Sequence, residues 1–349
     1  MTAVHQVLAG AAPRDAITNH ALEAQRVITG LGLQSEIFAE GQHIDPSLRS
    51  RIHGHDEWPR WASDGDTLIV HYSINSPAFH DLLVRAGTVG LQYHNITPPE
   101  LLWRYSPSLA RECAEGRRRL AELVAHIDVA AADSVFNAAE LQDLGFEDPH
   151  VIGILRDQER TIVSGEPVDD RIRMLFVGRG VANKAQDDLV LTLASLKQAG
   201  IAATLRLAGG WGPGTAFEAR CRWLARRLDV EQDVAFLGSV SDHQLAQEYA
   251  VATVFTCASR HEGYFVPGIE AMEATLPIVA AAAGAVPETI GGAGIVIEDA
   301  RPSTLAEAVL ECAEPDARHR FSGARRRQLE HHSHRATSER LVTFVEALL

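Results

Sequence analysis

Several features are missing from this sequence, and each absence excludes a class of protein. The 349 residues carry a formal net charge of −14, so the chain lacks the excess of Lys and Arg with which proteins neutralise nucleic-acid phosphates. The first residues contain neither a basic segment nor a long apolar one, and no apolar run is long enough to cross a bilayer. We therefore expect a cytoplasmic protein that does not bind nucleic acid.

Cysteine and recognisable metal ligands are also scarce. The four cysteines are widely separated and form no C-x-x-C pair, which is typical of reduced core residues: Cys113, Cys221, Cys257 and Cys312. Pairs of acids and pairs of histidines occur, but none has partner ligands at a useful spacing. The sequence therefore predicts no metal site and no cofactor.

Basic residues cluster in two places, Arg117–Arg119 and Arg325–Arg327. Such clusters usually form the solvated face of a helix, which is the reading we favour. Contact with the inner face of a membrane is the alternative that they leave open.

Short apolar runs alternate with helical patterns along the whole chain, which predicts an α/β protein with parallel sheets. In the first half the predicted strands are Gln6–Ala9, Ser35–Phe38, Thr67–His71, Gly90–His94 and Asp128–Ala131. The predicted helices there are Ala16–Thr29, Ser108–His126 and Ala138–Leu144. We expect the last of these to begin with a capping box formed by Asn137 and Glu140 and to end at Gly145.

The same pattern restarts in the second half, which indicates a second domain of similar size. Its predicted strands are Arg173–Val177, Thr204–Ala208, Val234–Leu237, Val254–Cys257, Ile278–Ala281 and Gly294–Ile297. Its predicted helices are Ala185–Ala199, Ala216–Leu228, Asp242–Ala250 and a final amphipathic Ser338–Leu349. The polar segment Arg156–Asp170 reads as the linker, so we predict domains over 1–160 and 161–337.

The most informative motif is the segment from Ser259 to Glu270, which places two carboxylates eight residues apart. Pro267 suits the start of a helix, which puts Glu262 in the preceding loop and Glu270 about one turn inside the helix. A helix start also offers free N–H groups and a positive dipole end to an anion. A nucleotide sugar has the matching groups, namely sugar hydroxyls, ribose hydroxyls and a diphosphate.

This segment resembles the E-x7-E motif of glycosyltransferase family 4, whose members are retaining enzymes with the GT-B fold. The resemblance implies two Rossmann-like domains that face each other across a cleft, with the donor sugar held mainly by the second. It implies that Glu262 faces the donor sugar and that Glu270 holds the ribose. It also implies that Gly263, Tyr264, Phe265 and Val266 belong to the donor site.

The resemblance extends to the loop after strand Arg173–Val177, where the family has an Arg and then a Lys that bind the donor diphosphate. Here these are Arg179 and Lys184. A departing nucleoside diphosphate develops negative charge, and preorganised cations stabilise it without a metal ion. Further on, Gly284–Glu288 matches another element that is common in the family.

In the first half the resemblance is to a subset that makes bacterial polysaccharides and O-antigens. It includes His94 at a strand end, which in the family faces the donor diphosphate and the reacting sugar, and the Ser134-x-x-Asn137 pattern. On the acceptor side we place Asp15, Asn19 and His71 together with His94. Initiation of the first helix by Asp15, and simple capping of a loop by His71, are the alternative readings.

The resemblance therefore implies a hexosyltransferase that moves a sugar, with retention, from a nucleoside-diphosphate sugar to a hydroxyl of a glycan, a lipid-linked or a small-molecule acceptor. Phe265 departs from the family, where a small residue is common, and its ring could crowd the donor or point away. Two alternatives stay open: a phosphorylase or sugar-phosphate synthase of the same fold, and a degenerate, non-catalytic subunit that binds nucleotide sugars. In GT-B proteins the last helix commonly crosses back to the first domain, and the resemblance implies this for Ser338–Leu349.

Overall fold

The computed structural model describes residues 3–156, 162, 165, 170–212 and 214–349. The chain divides into two compact units, each built on one parallel sheet. Among the described residues, unit 1 comprises 3–96, 111–156 and 332–349. Unit 2 comprises 97–110 and the described residues between 159 and 331. The predicted linker Arg156–Asp170 lies almost entirely outside the described residues.

Unit 1 is built on a seven-stranded sheet in the order β3-β2-β1-β4-β5-β6-β7, in which every neighbouring pair is parallel. The strands are β1 Val4–Leu8, β2 Ile37–Ala39, β3 His53–Gly54, β4 Thr67–Tyr72, β5 Val89–Tyr93, β6 Val129–Ala132 and β7 His150–Val151. The central strands are buried over their full length, as expected for a parallel sheet covered on both faces.

The helices of unit 1 come from both ends of the chain. They are α1 Ala16–Gly30, α2 Trp58–Trp61, α3 Pro77–Leu83, α4 Pro107–Leu123, α5 Val135–Asp143 and, near the carboxyl end, α14 His334–Leu348. Helix α4 belongs to this unit from Arg111 onward. Helix α14 packs Phe344 and Leu348 into the core of unit 1 with Val4 and Ile69. A Cβ at Gly90 would meet both of these α14 side chains within 3 Å, so the glycine allows the helix to lie directly on β5.

Unit 2 is built on a six-stranded parallel sheet in the order β10-β9-β8-β11-β12-β13. The strands are β8 Ile172–Val177, β9 Ala203–Ala208, β10 Val234–Gly238, β11 Val254–Cys257, β12 Ile278–Ala281 and β13 Ile295–Ile297. The helices are α6 Gln186–Gln198, α7 Ala216–Arg227, α8 Asp242–Val251, α9 Val266–Glu273, α10 Val286–Ile290, α11 Pro302–Ala313, α12 Ala317–Arg320 and α13 Ser322–His331.

The predicted α/β class with two parallel sheets is confirmed, and the predicted strands all occur within one or two residues of their expected bounds. The predicted start of α5 is wrong. The helix begins at Val135 because the Ser134 hydroxyl accepts the N–H of Asn137, so Asn137 lies inside the helix rather than capping it. The predicted end is right, since Gly145 follows the helix with φ +98°.

No helix in the described part of the chain combines the length and the apolar character that a bilayer crossing needs.

Candidate functional site

The order of strands in unit 2 brings two loops together at the carboxyl edge of its sheet. The chain runs outward from β8 to β9 and β10 and then returns to β11 on the other side of β8. The loops after β8 and β11 start side by side and then separate. Ligands of doubly wound sheets bind in the crevice that such a separation leaves. Arg179 and Lys184 follow β8, whereas Glu262 follows β11.

Lys184 and Glu262 form an ion pair at this edge. The Lys184 ammonium donates to the Glu262 carboxylate at 2.6 Å, and their side chains are 19% and 9% exposed. The chain has only two lysines, Lys184 and Lys197, among 32 basic residues, so a lysine at this position is not a matter of composition. An ammonium has three donors and can bind an anion while it keeps this carboxylate.

The backbone around Glu262 is fixed by the loop that follows β12. The Ala285 N–H donates to the Glu262 carbonyl at 2.9 Å. Gly284 has φ +57°, and a Cβ there would lie 2.2 Å from the same carbonyl oxygen. The Gly284–Glu288 element therefore positions Glu262 through a close backbone approach that only glycine permits.

The Lys184 side of the pair is also held by backbone contacts. The Arg260 N–H donates to the Asn183 carbonyl at 2.7 Å, which ties the loop after β11 to the loop after β8. The Gln186 side chain donates to the Arg179 carbonyl at 2.7 Å. Two loops that are distant in sequence are thus fixed to each other, which is the preorganisation that charge stabilisation requires.

Arg179 is the exposed cation of this edge, and it has no ion-pair partner among the residues that the structure describes. The loop that carries it packs against the loop after β9. A Cβ at Gly180 would meet the Trp211 indole at 2.2 Å, and a Cβ at Gly209 would meet the Gly178 carbonyl at 2.0 Å. Gly209 thus lets two backbones approach closely, and Gly180 leaves room for the indole.

Helix α9 begins one residue earlier than Pro267, and Phe265 is its N-cap with φ +67°, a left-handed conformation. The Phe265 ring is 3% exposed, lies against Phe255 at a centroid distance of 6.1 Å, and occupies the space beside Gly268. A Cβ at Gly268 would meet this ring at 2.4 Å. The ring therefore packs into the helix start and not into the loop that holds Glu262.

The remaining residues of the glutamate motif are also accounted for. Glu270 is 4% exposed and accepts a hydrogen bond of 2.8 Å from the Tyr249 hydroxyl, which holds the carboxylate in one orientation. Tyr264 is buried, and its carbonyl accepts the Thr289 hydroxyl at 2.6 Å. Gly263 and Val266 are partly exposed.

In unit 1 the two predicted strand-end histidines are neighbours. His71 Nδ1 and His94 Nε2 lie 2.8 Å apart, and the rings stack at 5.1 Å. His94 Nδ1 lies 2.9 Å from Asp133 Oδ2, and both of these side chains are 1% exposed. Burial, His94 and then His20 lower the pKa of His71 well below 6.5.

Asp15, which was predicted to lie on the acceptor side, has a structural role in the first helix. It is exposed and caps α1, where its carboxylate accepts the Thr18 N–H at 2.9 Å and the Thr18 hydroxyl at 3.0 Å. The structure therefore shows Asp15 as the N-cap of α1, and its place on the acceptor side stays a prediction. Asn19 lies half-buried in the first turn of the same helix.

Sequence reasoning missed Asp133, His20 and Tyr249. Asp133 directly follows β6, so inspection of every strand end could have found it. His20 lies on α1 and Tyr249 on α8, and nothing in the local sequence shows that either reaches a site.

Two doubly wound sheets, with an ion pair and an exposed arginine at the switch point of the second, define a two-domain protein suited to an anionic ligand. Residues 171–314 match the family described as Glycosyl transferases group 1. The D-inositol 3-phosphate glycosyltransferase of Kineococcus radiotolerans is 32% identical over 176 residues, which is 46% of this chain and 40% of that protein. A GDP-mannose-dependent alpha-(1-6)-phosphatidylinositol monomannoside mannosyltransferase of Mycobacterium tuberculosis is 32% identical over 151 residues, 41% and 38% of the two chains. The chain thus spans about two fifths of the length of these relatives.

Solved structures match over the whole chain. Sucrose-phosphate synthase from Thermosynechococcus elongatus has a TM-score of 0.78 at 16% identity, with 100% of this chain and 99% of that one covered. The Anabaena protein HepE in complex with UDP-glucose has a TM-score of 0.76 at 16% identity, with 100% of both chains covered. The chain has the GT-B fold, and residues 171–314 within unit 2 carry its similarity to the group 1 glycosyltransferases.

Proposed function

We propose that this protein transfers a hexosyl unit from a nucleoside-diphosphate sugar to a hydroxyl of a glycan, a lipid-linked or a small-molecule acceptor, with retention at the anomeric carbon. The observation that carries the proposal is the Lys184–Glu262 pair at the switch point of unit 2, inside the segment that matches the family. The relative named as GDP-mannose-dependent and the neighbour bound to UDP-glucose support a nucleoside-diphosphate sugar as the donor.

In this proposal the donor diphosphate binds Arg179 and Lys184. Arg179 is exposed and offers a planar fork of donors, whereas Lys184 is already oriented by Glu262 and offers a point charge. As the bond to the sugar breaks, negative charge grows on the leaving oxygen, and these two cations stabilise it without reorganising. No step of the proposal needs a metal ion.

Glu262 would orient the donor hydroxyls, and Glu270 the ribose. Both carboxylates are nearly buried and held by a donor, Lys184 for the first and Tyr249 for the second, so each keeps a defined direction. The acceptor hydroxyl would attack from the face that the diphosphate leaves and pass its proton to a diphosphate oxygen. The protein then supplies position and charge rather than a nucleophile.

His94 stays in the proposal as the strand-end residue at the reacting centre. Its ring nitrogens already face His71 and Asp133. Because both nitrogens have partners, we do not assign it the role of a base that takes the acceptor proton.

We place the reaction in the cytoplasm. All four cysteines are free and buried, as expected in a reducing compartment. Burial is the main cause that raises the pKa of the Cys257 and Cys312 thiols to about 12, which makes these thiols unreactive.

The experiment is a thermal-shift screen of the purified chain against UDP, GDP, ADP and dTDP sugars, followed by product analysis with the sugar that binds. A ligand that binds only the folded state raises the unfolding midpoint by an amount that grows with its concentration. We expect one nucleotide class to raise the midpoint and to yield an α-linked product. Failure of every nucleotide sugar to bind would contradict the proposal. A sugar phosphate released from a glycan and free phosphate would instead identify a phosphorylase.

A further inference from the structure

Three histidines cluster in the interior of unit 1. His20, His71 and His94 place one ring nitrogen each within 4.8 Å of one another, and within the described residues no other group of His, Cys, Asp and Glu side chains is arranged this closely. All three are buried. Three imidazoles at such distances suit a metal ion if each ring has a nitrogen lone pair free to bind it.

The His20 ring has no such lone pair. The Leu155 N–H donates to His20 Nδ1 at 2.9 Å, so the proton of a neutral ring lies on Nε2, which donates to Gln92 Oε1 at 2.8 Å. The Gln92 amide is oriented by two acceptors, Asp133 Oδ1 at 3.0 Å and the Gly153 carbonyl at 3.2 Å. A metal at His20 would have to displace a backbone N–H or a buried amide.

The other two rings form a hydrogen-bonded chain with acceptors at both ends. At one end the Gln6 amide donates to the Ala21 carbonyl at 3.1 Å, so its oxygen faces His71 Nε2 at 2.8 Å. At the other end Asp133 Oδ2 faces His94 Nδ1 at 2.9 Å. The middle contact joins His71 Nδ1 and His94 Nε2 at 2.8 Å.

The hydrogen-bonded rings and their acceptors need more protons than two neutral imidazoles hold. Three contacts need three protons, because two acceptors without a proton between them repel each other. Gln6 Oε1 and an ionised Asp133 can supply none, and two neutral imidazoles supply two. One further proton is required. We propose that His71, His94 and Asp133 form a site in unit 1 that permanently binds one extra proton, held as a His94 imidazolium between the Asp133 carboxylate and a neutral His71.

The electrostatics of the surroundings agree with this assignment. Asp133 is 2% exposed, and an unpaired carboxylate at that depth would be strongly unfavourable, whereas the carboxylate and the imidazolium together are neutral. Burial lowers the pKa of the His20 ring to about 4 and that of the His71 ring well below 6.5, so both rings are neutral beside the imidazolium. The titratable side chains facing one another here are His20 from α1, His71 from β4, His94 directly after β5 and Asp133 after β6.

The inference goes beyond the proposed function and does not depend on it. It assigns His94 neither to a metal nor to the role of a general base, since no nitrogen of the ring can take up a proton. His71 and Asp133 are positioning residues that keep this charge in place.

A second His–Asp pair in unit 1 provides a matched control. His5 Nε2 lies 3.1 Å from Asp66 Oδ2, but His5 Nδ1 accepts the Glu36 N–H at 3.1 Å. That ring therefore needs only one proton, and burial lowers the pKa of His5. Both rings face an aspartate, but their other hydrogen bonds differ. These bonds predict a neutral imidazole at His5 and a cationic one at His94.

The experiment is ¹⁵N NMR of the full chain with labelled histidine at about pH 8, where an ordinary imidazole is neutral. We expect one ring, assigned to His94 through its backbone resonances, to carry protons on both nitrogens in the wild type and in Asp66→Asn. In Asp133→Asn the amide can donate to Nδ1, so the same ring becomes neutral. Added Zn²⁺ should leave the ring resonances in place.

The wild-type spectrum decides the question even where the Asp133→Asn variant does not fold. A neutral His94 ring at about pH 8 would overturn the proposal. Stoichiometric loss of the three ring signals on addition of Zn²⁺ would overturn it in favour of a metal site. Neither outcome bears on whether unit 2 binds a nucleotide sugar, so failure of this inference and failure of the proposed function are distinguishable.

Discussion

At the scale of single residues, Phe265 and Gly268 form a complementary pair. A phenylalanine with φ +67° is strained by about 1–2 kcal/mol relative to an ordinary conformation. Its ring fills the space that the absent side chain of Gly268 leaves on α9. The sequence showed an unusual aromatic residue in the motif, but only the packing shows that it is matched by a glycine three residues later.

This pairing predicts strong coupling in a double-mutant cycle. Phe265→Gly removes the strain and leaves a void, while Gly268→Val alone forces a methyl group into the ring. The double variant should be more stable than the sum of the single changes by about 1–3 kcal/mol, as measured by urea denaturation. Additive effects would show that the ring does not occupy the space beside Gly268.

Several residues of the candidate site could be predicted because motif and strand-end position are local properties. Glu262, Lys184, His71 and His94 were found in this way, and the structure joins them into two pairs. His20 could not be found, because the helix that carries it reaches the cluster only through tertiary packing. The ion pair between Lys184 and Glu262 was not predicted either, since 78 residues separate its members.

At the scale of secondary structure, the loop between β12 and α10 supports the loop that carries Glu262. Strands were predicted well because buried parallel strands are continuous apolar runs. The two-residue strands β3 and β7 contain no such run and were missed. The start of α5 was misplaced because Ser134 and Asn137 are both good caps, and the choice between them depends on the path of the preceding strand.

Gly284→Ala tests this support. The new methyl group would lie 2.2 Å from the Glu262 carbonyl, so we expect the Glu262 backbone to shift and donor affinity to fall by at least about tenfold. Gly200→Ala is the matched control, because Gly200 also has a positive φ, +78°, but nothing lies within 4 Å of the added atom. Calorimetry with the donor identified in the screen should show a loss in the first variant only. Equal affinity in both would mean that Gly284 does not position Glu262.

At the scale of the whole molecule, the restart of the strand and helix pattern predicted two sheets, whereas the assignment of Thr97–Ala110 to unit 2 depends on contacts that no local pattern encodes.

The cluster of buried histidines lies in unit 1, so the stability of that unit should respond to acid. The His20 pKa is about 4 in the folded state because of burial, against 6.5 for an ordinary imidazole. The unfolded chain therefore binds more protons between these values, and stability falls as pH drops below about 6.5.

A substitution at His20 checks this pH dependence. The shift at His20 corresponds to about 3 kcal/mol that is present above pH 6.5 and lost toward pH 4. His20→Gln keeps a donor and an acceptor but does not titrate, so its urea-denaturation midpoint should vary less over this range than that of the wild type. The same change at the exposed His243 of α8 should leave the wild-type slope intact. If His20→Gln loses stability with acid as steeply as the wild type, His20 does not cause the effect.

The central claim is that Lys184 stabilises the charge of a departing nucleoside diphosphate. The two lysines of the chain allow a direct test, because Lys197 forms a comparable ion pair with Asp233 at 2.7 Å in the same unit. The measurement is saturated turnover with the identified donor for the wild type, Lys184→Ala and Lys197→Ala. We predict that Lys184→Ala lowers turnover by about 10²-fold or more, comparable to the loss of one oxyanion-hole donor, and that Lys197→Ala does not. Wild-type turnover in a folded Lys184→Ala protein would contradict the account.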